Sequence, residues 1–175
     1  MHELSPSNTI SFRGQLGFIP FTPSIRLPRH IHMTASKDKF LDERIMVLHG
    51  VGMVELAGDY YVVGSGSLVE CKGGVPHTWT ACPAGVRMPD GSVSEGGFTM
   101  VYEYEEETSF FPTGRKEVCR EVTEYEAWEG ELEEIRFPEM SKEEAVGRCK
   151  GVVWDGVVRE VRVSEDEEGG ILKVN

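Results

Sequence analysis

The feature that most constrains this chain is a run of short alternating segments between residues 43 and 81, each closed by glycine. From Glu43, the side chains of Ile45, Val47 and His49 fall on one face and those of Arg44, Met46 and Leu48 on the other, until Gly50-Val51-Gly52 interrupts the run. Residues 53–56 and 60–63 flank Ala57-Gly58-Asp59, which reads as a hairpin. Gly64-Ser65-Gly66 turns the chain into 67–71, and Lys72-Gly73-Gly74 turns it again into 75–79. Short strands of even length with glycine corners predict an all-β fold, a small closed barrel or double sheet.

Immediately upstream lies Arg29-His30-Ile31-His32. Successive strand side chains point to opposite faces, so His30 and His32 project from one face toward a single point. His49 and His77 follow within the same stretch, and only His2 lies outside it. Three neutral imidazoles, with or without one carboxylate, converging inside an apolar barrel suit a divalent first-row ion. Three protein ligands leave coordination positions open, as in a catalytic rather than a closed structural site.

The passage resembles the cupin superfamily. That family's first motif is Gly, five residues, His-X-His, three or four residues, Glu, six residues, Gly; its second is Gly, five residues, Pro-X-Gly, two residues, His, three residues, Asn. Here His30 and His32 match the pair, Glu43 and Gly50 match the end of the first motif, and Gly66, Gly74 and His77 match the second. Ser24 stands in place of the first Gly, ten residues separate His32 from Glu43, Lys72 replaces the motif Pro and Ala81 replaces the Asn.

The resemblance implies a double-stranded β-helix, or jelly-roll barrel, with the core motifs in 24–81. It implies a metal held by His30, His32, His77 and Glu43, with Fe(II) first and Mn, Ni, Cu or Zn as alternatives. A barrel that keeps the motif but holds no metal is the bland counterpart. Three functions fit: a non-haem iron dioxygenase on an enol, phenol or polyketide-like substrate; a non-oxidative isomerase, dehydratase, decarboxylase or cyclase of a biosynthetic pathway in which Glu43 or His49 moves a proton; or a cupin that binds a small molecule without catalysis.

Other residues are candidates for the same site. Arg26 is in phase with His30 and His32 if the alternation holds across Pro28, as a clamp for a carboxylate or enolate; the alternative is pairing with local acids at the rim. Phe40 sits in the polar insertion 34–42, either as a lid contact or in a solvated loop. Trp79, in phase with His77, either walls the pocket or packs in the core. His49 is a proton-transfer candidate, or is exposed beside Gly50.

Charge separates the two ends of the chain. The formal net charge is −12, and residues 103–175 carry 10 Lys/Arg against 21 Asp/Glu. That balance excludes nucleic acid and anionic membrane as partners. The size predicts one domain over 1–175, with an acidic extension from about 106 that covers a sheet face or forms a homodimer contact. Ser141 and Glu144 form a capping box that predicts a short helix to about Cys149. Residues 152–163 read as a hairpin, 9–12 and 17–21 as strands, and 98–105 as a strand with Phe98, Met100, Tyr102 and Tyr104 on one face. Widely spaced cysteines, no apolar signal-peptide core and no membrane-length apolar segment predict a reduced cytoplasmic protein.

Overall fold

The computed structural model describes residues 14–154, 157–163 and 172–174. Its strands are β1 (Gln15–Phe21), β2 (His30–Ile31), β3 (Glu43–Leu56), β4 (Asp59–Gly64), β5 (Leu68–Cys71), β6 (His77–Ala81), β7 (Phe98–Tyr104), β8 (Phe111–Pro112), β9 (Cys149–Trp154), β10 (Val157–Val163) and β11 (Leu172–Val174). One helix, α1 (Lys142–Arg148), precedes β9. The segments expected at 9–12 and the turn at 155–156 lie outside the described residues.

β3 organises the barrel because it belongs to two sheets. Its first half pairs with β5 on one side and β7 on the other, and β7 in turn carries β1. Its second half pairs with β4 and β6, and that sheet runs on from β4 through β9 to β10 and from β6 through β2 to β8. The bend between the halves falls at a register shift between Val47 and His49, followed by Gly50 at φ 75°. A Cβ on Gly50 would stand 2.1 Å from the Gly97 carbonyl oxygen, so the close approach of the two sheets requires glycine there. This double sheet, wound antiparallel except at β4 and β9, is the jelly-roll architecture expected from the glycine-punctuated strands.

The interior follows from the alternation. Ile45, Val47, Val54, Trp79, Phe98 and Met100 form one buried cluster between the two sheets. A second cluster, on the outer side of the β3, β4 and β9 sheet, takes Met53, Val62 and Val152 from the strands, Ala145 and Val146 from α1 and Phe137 from the preceding loop. α1 begins with the predicted capping box: Ser141 Oγ accepts from the Glu144 N–H, and the Glu144 carboxylate accepts from the Ser141 N–H. Residues 117–128, where Val118, Val122 and Tyr125 stand at helical spacing, form only a single 3-10 turn, Val122–Glu124. Its β-branched residues lose side-chain freedom in a helix, and the segment instead lies along the barrel through bonds such as Tyr125 Oη to the Pro112 carbonyl. Residues 133–137 run beside 26–29, joined by Arg29 N to Ile135 O and Phe137 N to Leu27 O. All four cysteines are buried and free. No helix among the described residues is long and apolar enough to cross a membrane.

Candidate metal centre and its cavity

Three strands bring the predicted ligands together. His30 lies on β2 directly opposite His77 on β6, and Glu43 opens β3. His32 follows β2 on the same face as His30. One ligand atom from each of the four residues lies within 4.8 Å of the others, and all four side chains are buried. The ten residues between His32 and Glu43 do not push Glu43 away, because the insertion closes on itself. Met33 bridges Phe40, Thr34 N donates to Lys39 O, and Leu41 N returns to His32 O, so the chain re-enters beside the point it left.

Each imidazole has one nitrogen already committed. Nδ1 of His30 reaches the Pro28 carbonyl at 2.8 Å, Nδ1 of His32 the Ser109 carbonyl at 3.1 Å, and Nδ1 of His77 the Val75 carbonyl at 2.9 Å. A carbonyl oxygen only accepts, so each Nδ1 carries the hydrogen and each Nε2 offers a lone pair. Nε2 of His32 and of His77 and Oε2 of Glu43 are buried without a hydrogen-bond partner. His77 Nε2 and Glu43 Oε2 nevertheless stand 2.9 Å apart, and His32 Nε2 is 3.7 Å from the same oxygen. Lone pairs facing one another at that distance repel unless a cation lies among them, so the donor set fits a metal ion.

The electrostatics agree. Burial pulls the His30 imidazole well below its ordinary range, with the His77 and His32 rings adding to the effect. Burial likewise pulls His32 down to about 4 against the opposing pull of Glu43. Burial acts to raise the Glu43 carboxyl, but the His77 and His32 rings and the Tyr104 hydroxyl outweigh it and hold the group below its usual range. A neutral His30 and a neutral His32 beside the Glu43 carboxylate are protonation states that suit a divalent ion.

Tyr104 is a further candidate residue, one that the motif does not contain. Its hydroxyl donates to Glu43 Oε1 at 2.8 Å, leaving Oε2 for the cluster. The pairing follows from register, since Glu43 and Tyr104 are directly opposed between β3 and β7. Burial and the Glu43 carboxylate raise the Tyr104 phenol, so it keeps its proton and remains a donor. Its place on the cavity-facing side of β7 was the sequence signal for it. Tyr104→Phe is expected to weaken metal binding by about 10–100-fold, read by titration of metal-free protein, because the carboxylate then loses the group that orients it. An unchanged affinity would remove Tyr104 from the site.

A cavity of about 230 Å³ opens beside the cluster. His30, His32 and Glu43 form its base, and Leu27, Trp79, Met100, Tyr102 and Phe110 contribute to its wall. Phe110 lies against His30 with ring centroids 4.3 Å apart and the rings tilted by 35°.

Three of the candidate residues stand elsewhere or differently. His49 is exposed, away from the cluster, and lines a separate surface depression with Asp90 and Glu95. The register shift after Val47 breaks the alternation that would have kept His49 in phase with Glu43. Arg26 also misses the cavity: it pairs with Glu133 and Glu139 and donates to the Phe137 carbonyl. The phase slips at Pro28, so Leu27 rather than Arg26 shares the cavity face with His30. Phe40 packs against Gly73 and Gly74 of the second motif instead of closing the mouth. Gly74, at φ 80°, has no room for a side chain, since a Cβ would lie 2.1 Å from the Cys119 carbonyl oxygen. Trp79 does border the cavity and is 1% exposed.

No protein-family model matches this sequence, and no curated protein matches it. Similar solved structures include a mutant of the salicylate 1,2-dioxygenase from Pseudoaminobacter salicylatoxidans, at 14% identity and TM-score 0.38 over 51% of this chain and 22% of that one. The polyketide cyclase RemF from Streptomyces resistomycificus is 18% identical, with TM-score 0.38, over 58% of this chain and 63% of that one. The capsular polysaccharide assembling protein CapF from Staphylococcus aureus is 20% identical, with TM-score 0.40, over 58% of this chain and 29% of that one. This chain therefore spans less than two thirds of the length of each of the three. The motif residues His30, His32, Glu43 and His77 meet inside a bent double sheet whose corners are Gly50 and Gly74, and the fold and the ligand set are those that the resemblance to the cupins implies.

Proposed function

We propose that this chain is a metal-dependent enzyme acting on a small oxygenated organic molecule, and that it is a non-haem iron dioxygenase for an enol, phenol or polyketide-like substrate. One observation carries the reading: four buried ligand atoms converge beside an apolar-walled cavity, and Nδ1 of each of His30, His32 and His77 is already bonded to backbone. Buried lone pairs without partners are costly unless the site is built for a cation.

His30, His32, His77 and Glu43 would hold the ion, and ferrous iron there would supply the Lewis acidity and redox chemistry that dioxygen insertion needs. Tyr104 fixes the Glu43 carboxylate. The walls around Trp79, Met100 and Phe110 exclude water and orient a flat substrate over the open side of the cluster.

Tyr104 also favours a second reading. A proton-bearing hydroxyl 2.8 Å from a carboxylate gives the site a donor and acceptor pair suited to an isomerase, dehydratase, decarboxylase or cyclase that consumes no oxygen. Metal content of the protein purified without added metal or chelator, followed by oxygen uptake with iron restored over a panel of phenols and enols, separates the two. Iron near one per chain with substrate-dependent oxygen uptake is the expected result. Substrate conversion without oxygen uptake would move the assignment to the non-oxidative reaction, and absence of any bound metal would overturn both as stated.

A further inference from the structure

Trp79 carries a polar group that its packing leaves unused. The side chain is 1% exposed and borders the cavity, and its Nε1 is buried with no hydrogen-bond partner. Trp128, by contrast, donates its indole N–H to the Glu131 carbonyl at 3.0 Å. Apart from ligand atoms of His32 and Glu43, Trp79 Nε1 is the one buried side-chain polar atom without a partner on the described lining of this cavity. The large majority of buried side-chain polar groups in folded proteins are paired, so an unpaired donor on a residue that lines a cavity is one that a ligand can satisfy.

The rest of the wall says what that ligand is. No Lys or Arg among the described residues lines the cavity. The nearby arginines are engaged elsewhere: Arg26 with Glu133, Arg29 with Glu55, and Arg44 with Glu70 and Glu103. A charged group placed there would lose its hydration with nothing to replace it. The volume of about 230 Å³ lies below the range of about 300–1,000 Å³ usual for larger ligands.

We infer that the site takes a flat molecule of one or two rings, uncharged away from the end it presents to the His30, His32, His77 and Glu43 cluster, and that Trp79 Nε1 donates a hydrogen bond to an uncharged oxygen of it. This rests on the proposed metal-dependent reading only for which end of the molecule meets the cluster.

The test uses the full chain loaded with zinc and three probes: 2-acetylnaphthalene, 2-ethylnaphthalene, which lacks the oxygen, and naphthalene-2-sulfonate, which adds a charge. By calorimetry the ketone is expected to bind about tenfold more tightly than the hydrocarbon, and the sulfonate, offered to zinc-free protein so that its charge has no cation to meet, is expected not to bind measurably. In the parent protein the Trp79 indole N–H resonance is expected to move downfield with the ketone alone. Trp79→Phe is expected to bring the ketone-to-hydrocarbon ratio close to one.

Equal binding of ketone and hydrocarbon, failure of both to bind, or tight binding of the sulfonate to the zinc-free protein would each overturn the inference. So would a ketone preference that survives Trp79→Phe, since the oxygen would then be held by another group. Should that variant fail to fold, the indole resonance of the parent decides. The preference is expected with or without zinc in the sample. Zinc content, measured separately, therefore tests the metal reading alone.

Discussion

His77→Ala is expected to lose its metal and keep its barrel. The imidazole is one of four converging ligands, and its Nε2 stands 2.9 Å from Glu43 Oε2. Removing a ligand outright should cost more than the ~10–100-fold that loss of an outer partner brings. His77 sits at the start of β6, whose remaining residues keep their pairing with β3 through Glu55 to Gly52, so the backbone has other support. A stability measurement gives an independent readout. Metal at about a hundred times its dissociation constant stabilises the parent by ~2.7 kcal/mol. For a chain of this length that is a rise in Tm of roughly 5–10 °C. The variant should show no such rise with the same metal. A His77→Ala protein that retains stoichiometric metal and the full shift in Tm would remove the cluster as the binding site.

How far the site was legible in the sequence depended on whether local alternation survived. His30, His32 and His77 were readable because strand periodicity and motif spacing act over a few residues, and nothing interrupts them there. Glu43 was readable by its distance to Gly50 but not by its distance to His32. Whether ten residues close into a loop depends on contacts such as Met33 with Phe40, which a pattern does not contain. Arg26 and His49 show the opposite failure. Each was placed by extrapolating a period of two, and each lies beyond a backbone irregularity that shifts the phase by one, at Pro28 and after Val47. Tyr104 stood in a clean alternating strand, but only the register of β7 against β3 makes it the partner of Glu43. The course of residues 106–140 was beyond reach, since it has almost no regular structure and is fixed by individual bonds to the barrel.

Breaking the Arg29–Glu55 pair is expected to destabilise the fold by about 3–5 kcal/mol, although neither residue touches the cavity. Both are buried, Glu55 completely. Arg29 Nε and Nη2 meet the two carboxylate oxygens at 3.0 and 3.1 Å, and Nη1 reaches the Gly114 carbonyl at 3.4 Å. β2 is only two residues long and is joined to β6 through the single pair His30 and His77, so its ladder holds it weakly. The ion pair supplies the missing constraint by tying the residue next to His30 to the far end of β3. Arg29→Met leaves a buried carboxylate without its partner, and Glu55→Leu leaves a buried guanidinium. Either is expected to lower Tm by roughly 6–20 °C. The double variant should recover most of that loss, because replacing both charges with apolar groups of similar size removes the desolvation cost along with the attraction. Metal affinity should follow the same order, weakened about tenfold in the single variants through displacement of His30. Single variants as stable as the parent would mean that the pair is dispensable. A double variant no better than the singles would mean that the loss comes from packing rather than from an unpaired charge.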